Sequence, residues 1–491
     1  MPRPTIGMLH YTCPPIVGGV ESVIAATTSL FADAGYPVQV FAGRGRQFDQ
    51  RIPVTIVPEL DSKHPALLAV NEELDRGRIG DGFQQLSRTL ESCLQELFTD
   101  IDVCIVHNAL SLHFNLPLTA ALHRLLSSGH APRVIAWCHD LSWSNPLYLP
   151  KMRAEPPWSL LKQPLPGVAY VVVSHERRRE LADLFDLDAN LIHLISNGVD
   201  PARFFNLTPL AARIASENDL FAQDLVLLLP ARITARKNIE LAIHVVGSLV
   251  RRGLKTRLVV TGPPGPHNIR SVDYVDVLQS LRAQLGLAEE VVFLYEMATG
   301  EDGTYAVDDH VIRDLYAIGD LLFFPSYQEG FGIPILEAGL ARLPVFCSDI
   351  PPFKEVGLGD VYFFSLQQSP DEIAASIAAF VQEDTAYGLR RRVLRDYTWP
   401  AIFDEKIAPL VADVAPHTLP EPTHPAEAGA HHVISPSLRG RSSEDSNPVS
   451  HSQQGPRGED ASPLSLSQKG EGEGEGSPDH QPPTPTRQVR P

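Results

Sequence analysis

The sequence predicts an α/β protein with two parallel sheets, one in each half of the chain. Short apolar runs recur through both halves with helical patterns between several of them, the rhythm of strands covered by helices on both faces. Between the halves, Leu194-Ile195-Ser196-Asn197-Gly198-Val199-Asp200 carries an asparagine-glycine turn signal. In the second half, Leu321-Leu322-Phe323-Phe324-Pro325 runs into the segment Tyr327 to Glu337, which reads as buried strand, glycine loop and helix.

In the first half, Ile6 to His10 reads as a strand. Gly18-Gly19-Val20-Glu21 then opens a helix with apolar positions Val20, Val23, Ile24 and Leu30, and Gly35 ends it. Further strands are expected at Val38 to Ala42, Val54 to Val57, Val103 to Val106, Val134 to Trp137 and Ala169 to Val173. The glycine pair does not form the GxGxxG pattern of a dinucleotide site, so Gly18 and Gly19 either serve the turn alone or let a ligand approach. His107-Asn108 and His139-Asp140 fall at strand ends, where ligands collect in open α/β sheets. For each histidine, a hydrogen-bonded structural role stands beside the functional one.

The second half begins with a strand over Leu225 to Pro230, followed by Ala231-Arg232-Ile233-Thr234-Ala235-Arg236-Lys237-Asn238 and a helix from Ile239 to Arg251. Arginine makes forked hydrogen bonds to phosphate and lysine offers a compact charge, so this strand end suits a diphosphate. Arg236 is either part of that cluster or merely solvated. Strands follow at Leu258 to Thr261, Val291 to Tyr295, Leu321 to Phe324, Leu343 to Cys347 and Val361 to Phe364, with helices over Pro370 to Gln382 and Pro400 to Val414. Pro334 fits a first helical position, which leaves the amides of Phe331, Gly332 and Ile333 at a helix N-terminus, where N–H groups and the helix dipole attract anions. Glu329 and Glu337 bracket that anion site and can accept hydroxyls.

The stretch Glu329 to Glu337, EGFGIPILE, resembles the paired-glutamate signature of retaining glycosyltransferases of family 4, which have the two-domain glycosyltransferase-B fold. The resemblance spans roughly residues 5 to 414. It implies two Rossmann-like domains facing a cleft: residues 1–205 on the acceptor side, completed by a helix over 400–414 that returns from the second domain, and residues 206–399 holding the nucleotide sugar. It further implies that Gly18 and Gly19 approach the donor diphosphate, that Arg232 and Lys237 bind it, that Glu329 holds sugar hydroxyls and Glu337 the ribose, and that His139 meets the transferred sugar. By position alone, Tyr295, Glu296 and Met297 become candidates for the nucleotide base. The implied reaction is transfer of a hexose, with retention, from a GDP-mannose or UDP-glucose type donor to a sugar, a lipid-linked or a small-molecule acceptor, with neither metal nor cofactor. A non-catalytic nucleotide-sugar binder on the same fold is the alternative.

With 491 residues, 43% of them hydrophobic and 20% charged, the chain can bury large cores. Its net charge of -18 argues against a nucleic-acid partner held by broad electrostatics, so any anion site must be local. Cys13, Cys93, Cys104, Cys138 and Cys347 are scattered and form no CxxC pair, which suits a reducing cytosol. No spanning apolar run or signal-peptide core is expected, and the protein reads as cytoplasmic. Arg177-Arg178-Arg179 is either a solvated helix face or a weak peripheral contact with anionic headgroups at the inner membrane face. Residues 416–491 contain no Phe, Trp or Tyr and include a glycine-glutamate run, so they read as a disordered tail.

Overall fold

The computed structural model describes residues 3–129, 131–264, 270–297 and 306–415, with the backbone alone for 270–273. Two sheets organise it, and every strand pair in both is parallel. The first contains β1 (Ile6–Thr12), β2 (Val38–Arg44), β3 (Val54–Ile56), β4 (Val103–His107), β5 (Arg133–Cys138), β6 (Val168–Val172) and β7 (Ile192–Leu194). The second contains β8 (Leu225–Leu229), β9 (Thr256–Val260), β10 (Val291–Phe293), β11 (Leu321–Phe324), β12 (Val345–Ser348) and β13 (Tyr362–Phe364).

Central strands are buried along their whole length, as the unbroken apolar runs require of a sheet covered on both faces: every residue of β1, β4, β8 and β11 is buried. Strand order is β3-β2-β1-β4-β5-β6-β7 in the first sheet and β10-β9-β8-β11-β12-β13 in the second. Order therefore reverses between β1 and β4 and between β8 and β11. At such a switch point, successive connections depart to opposite faces and leave a crevice at the carboxyl ends of the strands, where α/β proteins bind ligands.

The last helical run packs against the first sheet. Trp399, Ile402, Phe403, Ile407, Leu410 and Val411 join the core around Ile6, Met8 and Ile105 of the first sheet, although the second sheet precedes them in sequence. A backbone clasp fixes the crossing: Val199 N–H donates to the Tyr397 carbonyl (2.8 Å) and Trp399 N–H to the Val199 carbonyl (3.0 Å). A side chain at Gly198 would lie 2.7 Å from the Trp399 ring, so the glycine of the mid-chain turn serves this contact as well as the turn.

Several boundaries differ from expectation. β7 was not expected: its three residues add an edge strand beside β6 just before the Asn197-Gly198 turn. β10 ends at Phe293 and Leu294–Glu296 coils into a 3-10 turn. The helix after β11 runs Ile333–Ala341, which makes Pro334 its second residue rather than its first. The expected disordered tail, 416–491, lies outside the described residues.

Candidate functional site

At the second switch point, two loops are tied together. Asn238, in the left-handed conformation (φ 52°), donates its side-chain amide to the Pro325 carbonyl (3.1 Å), and Tyr327 N–H donates to the Arg236 carbonyl (2.9 Å). Ser348 Oγ holds the Ser326 carbonyl at 2.6 Å from β12. This lattice brings Lys237 and Glu329 into an ion pair whose side chains are 10% and 9% exposed, with the Lys237 ammonium 4.9 Å from the Phe324 ring centre. Glu329 also accepts from Ser326 Oγ and from Arg236 Nη1, each at 2.9 Å. Arg236 is therefore part of the cluster, not merely solvated. Burial raises the Glu329 carboxyl, but hydrogen bonds and charge from Lys237, Ser326 and Arg236 outweigh it and hold the group below the usual carboxylate range. Burial pulls the Lys237 ammonium down, against the opposing pull of Glu329.

The helix Ile333–Ala341 points its N-terminus out of the same loop. Gly332 caps it at φ 111°, a conformation that favours glycine, and no side chain caps its amides. Phe331 and Ile333 beside it are half exposed or more. Glu337, one turn along, accepts a hydrogen bond from Tyr316 Oη (2.7 Å), a partner supplied by the helix Asp309–Ile318. Burial first, and Glu337 second, raise the Tyr316 phenol. Arg232 is exposed and makes no ion pair among the described residues.

At the first switch point, Gly18 precedes the helix Gly19–Asp33. A Cβ on Gly18 would lie 2.0 Å from a Glu21 carboxylate oxygen, whereas Gly19 faces open space. Glu21 is nearly buried and accepts from Thr12 Oγ1, so Gly18 is glycine because a carboxylate occupies its side-chain volume. Behind it runs a chain of imidazoles. His10 Nδ1 donates to the His107 carbonyl (3.1 Å), and His107 Nδ1 lies 3.0 Å from His139 Nε2. His107 is wholly buried and its Nε2 has no partner among the described residues. An orphan lone pair costs less than an orphan N–H, so we place the shared proton on His107 Nδ1 and leave His139 with its own proton on Nδ1. Burial, with His10 second, lowers His139 to about 3; burial takes His107 well below the ordinary value. Neither carries charge at neutral pH.

Tyr295 and Met297 stand beyond β10, an edge strand separated from β8 by β9. Gln279 donates to Tyr295 Oη (3.0 Å), Glu296 pairs with Arg282 (3.0 Å), and Asn218 donates to Met297 Sδ (3.4 Å). Burial, then Glu296, raises the Tyr295 phenol to about 12. Arg177 contacts Asp140 (3.5 Å) and Glu180, so one member of the arginine triplet faces the strand-end loops. Sequence reasoning did not find Glu21, His10, Ser326 or Tyr316. The Gly18-Gly19-x-Glu21 spacing was the signal for Glu21, and Tyr316 lay on a helix with no motif of its own.

Two family profiles match the chain: one described as Glycosyltransferase Family 4 over residues 17–203, and one described as Glycosyl transferases group 1 over residues 212–396. Among curated relatives, a mannosylglucosylglycerate synthase of Petrotoga mobilis is 26% identical over 294 residues, covering 55% of this chain and 65% of that protein. An uncharacterized glycosyltransferase of Methanocaldococcus jannaschii is 26% identical over 245 residues, covering 48% of this chain and 58% of its own length. This chain therefore aligns with less than two thirds of either protein. A mannosylglucosylglycerate synthase of Thermotoga maritima is 26% identical over 387 residues, covering 73% and 86%. With both halves matched by glycosyltransferase profiles and the paired sheets in place, the chain belongs to glycosyltransferase family 4.

Proposed function

We propose that the chain is a retaining hexosyltransferase that uses a nucleotide diphosphate sugar and needs no bound metal. In this reading, residues 206–399 hold the donor, and residues 1–205 with 400–414 hold the acceptor across a cleft. The observation that carries it is the clustering of Arg236 and Lys237 on Glu329, in the loop that leads into the N-terminus of the helix Ile333–Ala341, at the β8/β11 switch point. The departing diphosphate gains charge as the anomeric bond breaks, and preorganised cations and amides stabilise that charge more than they stabilise the intact donor. Arg232, with no ion pair of its own among the described residues, is available to it.

Glu329 then has two successive tasks. A carboxylate offers about four acceptor sites, and Lys237, Arg236 and Ser326 occupy three of them. The diphosphate draws Arg236, the more exposed cation, off Glu329, and the freed oxygen takes a sugar hydroxyl. Glu337 holds the ribose, with Tyr316 fixing its rotamer. His139 presents Nδ1–H to the transferred sugar. The names of the relatives, two mannosylglucosylglycerate synthases and a serotype-specific mannosyltransferase 34% identical over 113 residues, favour mannose as the hexose.

A thermal-shift and donor-turnover screen with GDP-mannose and UDP-glucose in EDTA tests this reading. A donor at 100 times its dissociation constant stabilises by about 2.7 kcal/mol. Stabilisation by neither sugar, or activity only on adding magnesium or manganese, overturns it. Binding without donor consumption leaves the non-catalytic alternative.

A further inference from the structure

A cavity of about 430 Å³ opens in the first half of the chain, among loops that follow β3, β4 and β5. Its size lies within the roughly 300 to 1,000 Å³ of small-molecule sites. Phe114, Tyr148 and the buried Trp158 line it, with His113 between them: ring centres of His113 and Tyr148 are 5.1 Å apart, and those of Phe114 and Tyr148 5.4 Å. Such a wall suits the apolar C–H face of a sugar.

The cavity is coupled to the candidate site by a specific hinge of hydrogen bonds. Ser142, three residues after His139, accepts from the His113 backbone N–H (2.9 Å) and meets His113 Nδ1 at 2.8 Å. The loop that carries His139 therefore also fixes one wall of the cavity, and both lie at the carboxyl edge of the same sheet.

Its charge is unlike that of the chain as a whole. Two lysines, Lys63 and Lys151, face one carboxylate, Asp75. Lys151 and Asp75 stand 4.0 Å apart with both side chains more than half exposed, a pair that contributes little. Lys63 makes no ion pair among the described residues. His113 stays neutral: burial first, then the charge of Lys151, lowers it to about 4. In a chain of net charge -18, this is a local excess of positive charge beside an aromatic wall.

We propose that this cavity seats the acceptor, and that the acceptor is a sugar-sized polyol bearing one anionic group, a carboxylate or a phosphate monoester, met by Lys63 and Lys151. The proposal rests on the transferase reading above and adds the chemical class of the second substrate. The rings hold the polyol by one face, the lysines select the anion, and the His139 loop aligns the attacking hydroxyl with the donor.

The test uses the full chain with three probes: methyl glucoside, glucuronate and glucose 6-phosphate. Each is measured for binding by calorimetry and as an acceptor with GDP-mannose and UDP-glucose, and donor hydrolysis without acceptor is recorded in parallel. At least one anionic probe binds roughly tenfold or more tightly than methyl glucoside, as expected for a charge-assisted contact. Glucuronate against glucose 6-phosphate tells carboxylate from phosphate. Lys63→Ala and Lys151→Ala, both at exposed positions, reduce that preference about tenfold while the melting temperature stays that of wild type. Equal binding of neutral and anionic probes, or a preference that survives both substitutions, overturns the proposal. Absence of donor hydrolysis in wild type defeats the transferase reading instead, and calorimetry then still decides whether the cavity selects anions.

Discussion

Lys237 and Glu329 form an ion pair that is nine-tenths hidden from solvent, in a site whose proposed ligand is itself an anion. Before donor arrives, the cation is neutralised by the same carboxylate that is proposed to hold the sugar. Most of the expected behaviour of this site follows from that pairing.

Removing either partner leaves the other in a poor environment, but unequally. Glu329 keeps Arg236 and Ser326 when Lys237 is lost, whereas Lys237 has no second carboxylate among the described ion pairs. Breaking a buried pair costs about 3 to 5 kcal/mol. Glu329→Ala is expected in that range, and Lys237→Met at about 2 kcal/mol or less, with urea midpoints as the measurement. The reverse order would mean that Glu329 is not the pivot of the cluster.

The ribose assignment couples Glu337 to Tyr316. Glu337→Gln weakens nucleoside diphosphate binding roughly ten- to a hundredfold, as expected for a lost charge-assisted hydrogen bond. Tyr316→Phe, which keeps the ring and removes the 2.7 Å hydrogen bond, costs less, about threefold to tenfold. Calorimetry with GDP and UDP reads both. An unchanged affinity in Glu337→Gln removes it from the nucleotide site.

The histidine chain makes stability depend on pH. His10, His107 and His139 are held below the ordinary histidine value by burial, so the unfolded chain binds more protons as pH falls. Their contribution is complete above pH 6.5 and declines as pH falls below it; for His139, lowered to about 3, the loss is about 1.4 kcal/mol at pH 5.5. His107→Asn, whose amide can replace the Nδ1–H, removes one titrating group and retains the bond to His139 Nε2. It is expected to flatten the stability loss between pH 7 and 5.5 and to keep donor turnover, whereas His107→Leu lowers turnover. Equal turnover in the two variants would show that the hydrogen bond does not position His139.

Arg232→Ala is expected to lower turnover more than donor affinity, because charge on the leaving diphosphate grows towards the transition state. Initial rates beside calorimetry separate the two. A proportional loss in both would mean ground-state binding alone.

Much of this was legible in the sequence because it is local. Apolar runs placed the strands, and Gly332 with Pro334 marked the helix start after β11 to within one residue. What escaped depends on partners distant in sequence. Arg236 could be read as clustered or solvated because its carboxylate lies 93 residues away, and Gly18 as serving the turn or a ligand's approach because the side chain that fills its space is folded back from Glu21. Tyr316 reaches Glu337 from a separate helix, and the His10-His107-His139 chain exists only once β1, β4 and β5 lie side by side. Alternation predicts strands; it does not predict which strand ends become neighbours.

The central claim is that Glu329 serves the sugar and the cations serve the diphosphate. It is tested most directly with Glu329→Gln, by calorimetry of GDP and UDP beside initial rates of donor consumption. Freed from the carboxylate, Lys237 and Arg236 should bind nucleoside diphosphate as tightly as in wild type or more so, by up to about tenfold, while turnover falls at least a hundredfold. Loss of nucleotide affinity in Glu329→Gln with turnover of the intact donor preserved would contradict the account.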